Sequence, residues 1–167
     1  MIERARRATR AVNRVFIALA GAMAVGIFAV ILYDVLMRNA FDAPTVWALD
    51  VSRFLLVYLF FLALAPALEA GSHVSVDAVT HWVGPGAARR LHTAAALLTV
   101  AFGMILLWQV TRATVDAFTR DEMFPTAVPI RMEYIFWIGP LGTLQFVLTA
   151  AVALAALWIP SSDSRSS

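Results

Sequence analysis

The sequence predicts an all-α membrane protein with four transmembrane helices and short interfacial helices in the connections. Of its 167 residues 61% are apolar and 14% charged, a composition too oily for a dissolved domain of this size. The charges are also excluded from long blocks, none falling in Val15 to Tyr33, Phe54 to Leu68, Thr93 to Thr111 or Tyr134 to Ser162. The five tryptophans, Trp47, Trp82, Trp108, Trp137 and Trp158, lie at or just beyond the ends of the expected spans, where indoles favour the headgroup boundary.

A helix rises 1.5 Å per residue, so about 20 apolar residues cross the hydrocarbon core. The spans are expected at approximately 14–37, 45–69, 91–112 and 133–159, within a single membrane domain covering 1–167. The first apolar run is longer than the ~7 to 15 residues of a signal peptide and no A-x-A site follows it, so this helix is expected to be retained. The second block is too short alone. It reaches spanning length if the helix starts near Pro44 to Val46 and carries Asp50 and Arg53 in its first two turns.

Arg4, Arg6, Arg7, Arg10 and Arg14 precede the first span against one acid, Glu3. Positive charge beside a span resists translocation, which places both termini in the cytoplasm. The pI near 9.7 is therefore a topology signal, and no nucleic-acid partner is expected. His73 to Val83, HVSVDAVTHWV, spaces Val76, Val79 and Val83 as a short surface helix would, and Gly84-Pro85-Gly86 ends it. Pro125 and Pro129 exclude one continuous helix between Arg120 and Arg131. The chain has no cysteine, so disulfides and thiolate sites are excluded.

Few side chains could carry chemistry. Asp34 and Arg38 have the four-residue spacing of a helical ion pair marking the end of the first span. Trp47, Asp50 and Arg53 share a broad face of the second helix. A charge near the bilayer centre costs ~2.5 to 3.5 kcal/mol, so this face is expected to turn toward protein, within the bundle or on a partner. His73, His81 and His92 lie outside the expected spans, whereas a haem in a helix bundle needs imidazoles on facing helices. His73 and Asp77 suit a local hydrogen bond better than a metal site. Gln145 lies well inside the fourth span, where its amide is expected to find a partner across a helix interface, and Thr99 and Thr149 are the other notable mid-span polar groups. Ala18, Ala22 and Gly26, and Gly139 with Gly142, would permit close helix approach. No carboxylate, arginine or histidine occupies a span centre, so no solute pathway is expected. No metal or other cofactor is expected either.

From Arg38 to Asp77 the chain reads RNAFDAPTVWALDVSRFLLVYLFFLALAPALEAGSHVSVD. This stretch resembles the small membrane subunit of tripartite ATP-independent periplasmic (TRAP) transporters, the four-helix Q-type subunit. The similarity rests on Arg38, Pro44, Trp47, Asp50, Arg53, His73, Val74, Val76 and Asp77, and on FPTAVPIRMEYIFWIGPLG with Pro129, Pro140 and Gly142. Asp50 departs from the family's more usual Glu, and Ala63 to Ala65 replace a region often holding Gly. The resemblance implies a large multi-span partner carrying the sodium and substrate sites, and a periplasmic substrate-binding protein. It also implies that this chain is a non-catalytic scaffold, not an enzyme, in a bacterial inner membrane. Cargo would be an organic acid such as a C4-dicarboxylate or sialic acid. On these terms Arg38, Trp47, Asp50, Arg53, His73 and Asp77 are the structural or partner-facing residues. The alternatives are a haem-binding anchor of an electron-transfer complex and a small homo-oligomeric exporter.

Overall fold

The computed structural model describes residues 2–71, 85–120 and 130–158. Their helices are α1 (Ile2–Phe41), α2 (Ala48–Gly71), α3 (Pro85–Arg120), α4 (Glu133–Phe136) and α5 (Ile138–Trp158). Among the described residues four segments are long and apolar enough to cross a membrane: Ile2–Phe41, Ala48–Gly71, Arg90–Arg120 and Glu133–Leu157. The surface helix expected at His73 to Val83, and the segment 121–129 with its two prolines, lie outside the described residues.

α1 has 40 residues, about 60 Å at the helical rise and twice a hydrocarbon core. The basic segment expected to precede it is its first three turns. Its packed positions follow 2, 6, 9, 13, 16, 20, 23, 27, 30, 34 and 37, alternating steps of four and three. That 3.5-residue period is the seam of a left-handed helix pair. The middle of the seam is apolar, with Phe16 and Ala20 packed on Leu62 and Ile138, and its ends are polar. Ala18 and Ala22 are exposed, so this small-residue stripe faces away from the bundle. Gly26, its third member, flanks the seam, and a Cβ there would meet Leu55 at ordinary contact distance.

α1 ends where Asp42 takes a left-handed backbone (φ 50°), which Asp tolerates better than most residues. The Ala43 N–H turns back to the Met37 carbonyl (3.1 Å), and Pro44 follows, which cannot continue the helix. α2 starts at Ala48, slightly later than expected, and carries both Asp50 and Arg53 in its first two turns. α3 opens with Pro85 at its first position, where the missing N–H has no helical partner to lose. It continues past the apolar block through Arg112, Asp116 and Arg120.

The last span is built from α4 and α5, joined at Trp137. Pro140 lacks the N–H that would serve the Phe136 carbonyl four residues back. Thr114 of α3 presents its hydroxyl there, 3.1 Å from the Phe136 oxygen and 2.8 Å from the Val110 oxygen of its own helix. A polar backbone group exposed by proline is thus met by a neighbouring helix.

α5 is the centre of the bundle. It packs on α1, α2, α3 and α4, while α3 makes little contact with α1 or α2. A third of the last span is buried inside the protein against 6% of the α3 span, so α3 is the outlying helix. Gly142 lets α2 and α5 approach closely: a Cβ there would stand 2.8 Å from the Phe61 carbonyl carbon. At Gly103, a Cβ would lie 2.9 Å from Val147 and 3.0 Å from Phe146, which sets the α3–α5 spacing. Gly142 lets two backbones approach, and Gly103 admits the Val147 and Phe146 side chains against the α3 backbone.

Candidate functional site

The polar contacts that tie the elements of the described structure together lie at both ends of the bundle and between them. At the end formed by the α1 C-terminus and the α2 N-terminus, Asp34 accepts hydrogen bonds from the Thr45 backbone N–H (3.1 Å), from the Thr45 hydroxyl, and from Arg38 (3.0 Å). The expected Asp34–Arg38 pair is present, but its carboxylate also binds the loop between the helices. Tyr33 and Trp47 stack obliquely beside it, ring centres 5.8 Å apart.

One turn into α2, Asp50 and Arg53 approach to 3.6 Å. They do not share an environment. The Asp50 side chain is 8% exposed and that of Arg53 61%. Arg53 stands on the outward stripe of α2 with Leu49, Leu56 and Phe60, all exposed. The face that the spacing suggested for Trp47, Asp50 and Arg53 together therefore divides, Asp50 turning into the bundle and Arg53 out of it. His73 and Asp77 lie outside the described residues.

At the opposite end α1, α2 and α5 are joined by a closed network. Gln145 donates to the Asn13 side-chain oxygen (2.8 Å) and to the Thr9 carbonyl (3.3 Å). Asn13 donates to Glu69 (2.6 Å) and to Thr149 (3.4 Å), and Thr149 donates to the Gln145 carbonyl (2.9 Å). Arg10 completes it with an ion pair to Glu69 at 3.3 Å. Asn13, Gln145 and Thr149 are buried, and among the described residues no buried side-chain nitrogen or oxygen lacks a partner. The Gln145 amide bonds across an interface, as its place in the fourth span leads one to expect, and Thr149 does so too. Asn13 and Glu69 were not singled out in sequence, because each borders charged or polar neighbours that read as a span end.

Between these ends Tyr58 of α2 bridges the start of the last span. Its hydroxyl donates to the Tyr134 carbonyl (2.5 Å) and accepts from the Trp137 indole N–H (2.8 Å). The Trp137 ring also meets Tyr58 edge-on at 6.0 Å. His92, placed outside the spans by the sequence, lies in the second turn of α3. Thr99 bonds its own helix at the Ala95 carbonyl (2.9 Å), so it ties no second helix.

Comparison with known proteins adds two findings. Residues 27–159 match the family described as "Tripartite ATP-independent periplasmic transporters, DctQ component". The chain is also similar to a protein of Haemophilus influenzae, "Sialic acid TRAP transporter permease protein SiaT", with 29% identity over 63 residues, 38% of this chain. It spans about a tenth of that relative's length, 10%.

Proposed function

This chain belongs to the DctQ component family of the tripartite ATP-independent periplasmic transporters, as their small permease subunit, and from that membership we propose that it is the non-catalytic scaffold subunit of a sodium-coupled importer. The partner is a large multi-span subunit that carries the sodium and solute sites, supplied by a periplasmic substrate-binding protein. The assembly sits in a bacterial inner membrane with both termini of this chain cytoplasmic, and it imports an organic acid such as a C4-dicarboxylate or sialic acid.

One observation carries the reading: most of the interior polar groups are engaged in joining helices, while Thr143 bonds its own helix at the Gly139 carbonyl. Gln145, Asn13, Thr149, Glu69, Thr114 and Tyr58 each hold one helix to another. A solute route needs polar groups that exchange partners with cargo, and a relay needs ionisable groups along the path. Large apolar side chains cover the outside, Phe28 and Val25 on α1 and Leu98, Ile105 and Trp108 on α3 among them. Such a surface suits lipid and a membrane partner. Arg53, on the outward stripe of α2, is a polar anchor for that partner.

The test is a comparison of assembly with transport. Arg53→Ala is expected to lower recovery of the large subunit with tagged small subunit, with uptake in proteoliposomes falling in the same proportion. Wild-type co-purification with collapsed uptake would show a direct part in transport and end the scaffold reading.

A further inference from the structure

A cleft of about 610 Å³ opens between the N-terminal turns of α1, the end of α2, the start of α3 and the last turns of α5. It exists because α3 leans on α5 and makes little contact with α1 or α2. Its two sides differ in chemistry. Arg6, Arg10 and Glu69, from α1 and α2, stand against Ala153, Ala156 and Leu157 of α5, and α3 brings His92 and, one turn further on the same face, Ala96.

The contrast follows from where charge begins on each helix. Asn13 of α1 bonds both Glu69 of α2 and Thr149 of α5. Below that level α1 continues as its arginine-rich turns, while α5 stays apolar as far as Trp158, nine residues or about 13 Å further. Arginines of α1 thus face alanines of α5 at the same depth, Arg6 lying seven residues beyond Asn13 and Ala156 seven beyond Thr149.

Neither water nor hydrocarbon alone suits that cleft. Water would wet the alanine wall, and an alkyl chain by itself would leave guanidinium groups without acceptors. A molecule with an anionic head and an alkyl tail satisfies both sides. The Glu69 carboxylate is held by Arg10 at 3.3 Å and Asn13 at 2.6 Å. Arg6 contacts Glu3 at 3.7 Å, but the Glu3 side chain is 75% exposed, so solvent screens that pair. Two arginines against one carboxylate leave the lining positive, and guanidinium groups bind phosphate oxygens in a fixed fork.

We propose that this cleft is a binding site for one anionic phospholipid, its phosphate at Arg6 and Arg10 beside His92, and one acyl chain along the alanine wall of α3 and α5. The site depends on the bundle lying in a bilayer and not on its role in a transporter.

Native mass spectrometry of the full chain in detergent, offered equal phosphatidylglycerol and phosphatidylcholine of matched chains, tests this. One phosphatidylglycerol should be retained per chain in several-fold preference. Arg6→Gln should weaken phosphatidylglycerol about five-fold, the worth of one basic residue at an anionic headgroup, and leave phosphatidylcholine unchanged, while Arg6→Lys should keep the preference. Ala153→Phe should reduce both lipids by filling the apolar wall. Equal retention of the two lipids by wild type would overturn the proposal, as would an Arg6→Gln variant with undiminished phosphatidylglycerol. Loss of lipid to glycerol phosphate alone would point to a soluble phosphate ligand instead, and indifference to Ala153→Phe would remove the cleft as the seat of the chain.

Discussion

At the scale of residues, the closed network around Asn13 is the clearest device. Gln145 sits deep in an apolar helix, where an unpaired amide costs several kcal/mol, and its two donors find the Asn13 oxygen and the Thr9 carbonyl. Interhelical hydrogen bonds in membranes are worth ~0.6 kcal/mol on average and up to about 2. Gln145→Leu is therefore expected to destabilise the bundle by about 1 kcal/mol in an SDS-titrated unfolding measurement. Asn13→Leu should cost more, because Asn13 also donates to Glu69 and Thr149. The double variant should cost less than the two together, since each removes the other's partner. Strict additivity would mean that the two amides act independently. That Gln145 needs a partner could be read from the sequence. Which residue supplies it could not, because 132 positions separate the two and only helix packing brings them together.

At the scale of elements, proline and glycine decide how helices meet. Pro140 removes one backbone donor from the last span, and the Thr114 hydroxyl reaches the Phe136 carbonyl left behind. Thr114→Val is expected to destabilise the protein by about 1 kcal/mol, the net worth of a buried hydrogen bond. In a Pro140→Ala background the loss should shrink, because alanine restores an N–H to serve that carbonyl. An equal loss in both backgrounds, read from thermal unfolding in detergent, would disconnect the threonine from the proline. The small residues divided in a way that spacing alone did not foretell. Gly142 permits a close crossing with α2, whereas Ala18 and Ala22 lie on the outside of α1. Small size permits approach but does not choose the face, and on α1 the larger residues Phe16, Met23 and Val30 occupy the packed seam.

At the scale of the whole molecule, the bundle is arranged around α5, with the α1–α2 pair on one side and α3 on the other. The orientation we propose follows from charge, because the arginine-rich turns of α1 resist crossing. The chain has no cysteine, so single cysteines report topology cleanly. Ala43→Cys is expected to react with an impermeant maleimide added to intact spheroplasts, and Arg7→Cys only after the membrane is opened. The reverse pattern would invert the proposed topology. The cleft at Arg6 and Arg10 also belongs to this scale. It opens because α3 makes little contact with α1 or α2, and across it the charged end of α1 lies beside the apolar end of α5.

The sequence by itself determined that the chain is a four-helix membrane protein, because long uncharged blocks can be solvated only by lipid, and it determined the family through residues around Trp47, Asp50 and Arg53. It also disclosed the Asp34–Arg38 pair, a contact between neighbours on one helix turn. Only the tertiary structure decided that Asp50 turns inward and Arg53 outward, that Asn13 and Glu69 answer Gln145 and Thr149, and that Thr114 serves the carbonyl beneath Pro140. The physical reason is range. Solvation and local spacing are written in a helix's own residues, whereas partners across an interface depend on how far one helix has slid and turned against the next.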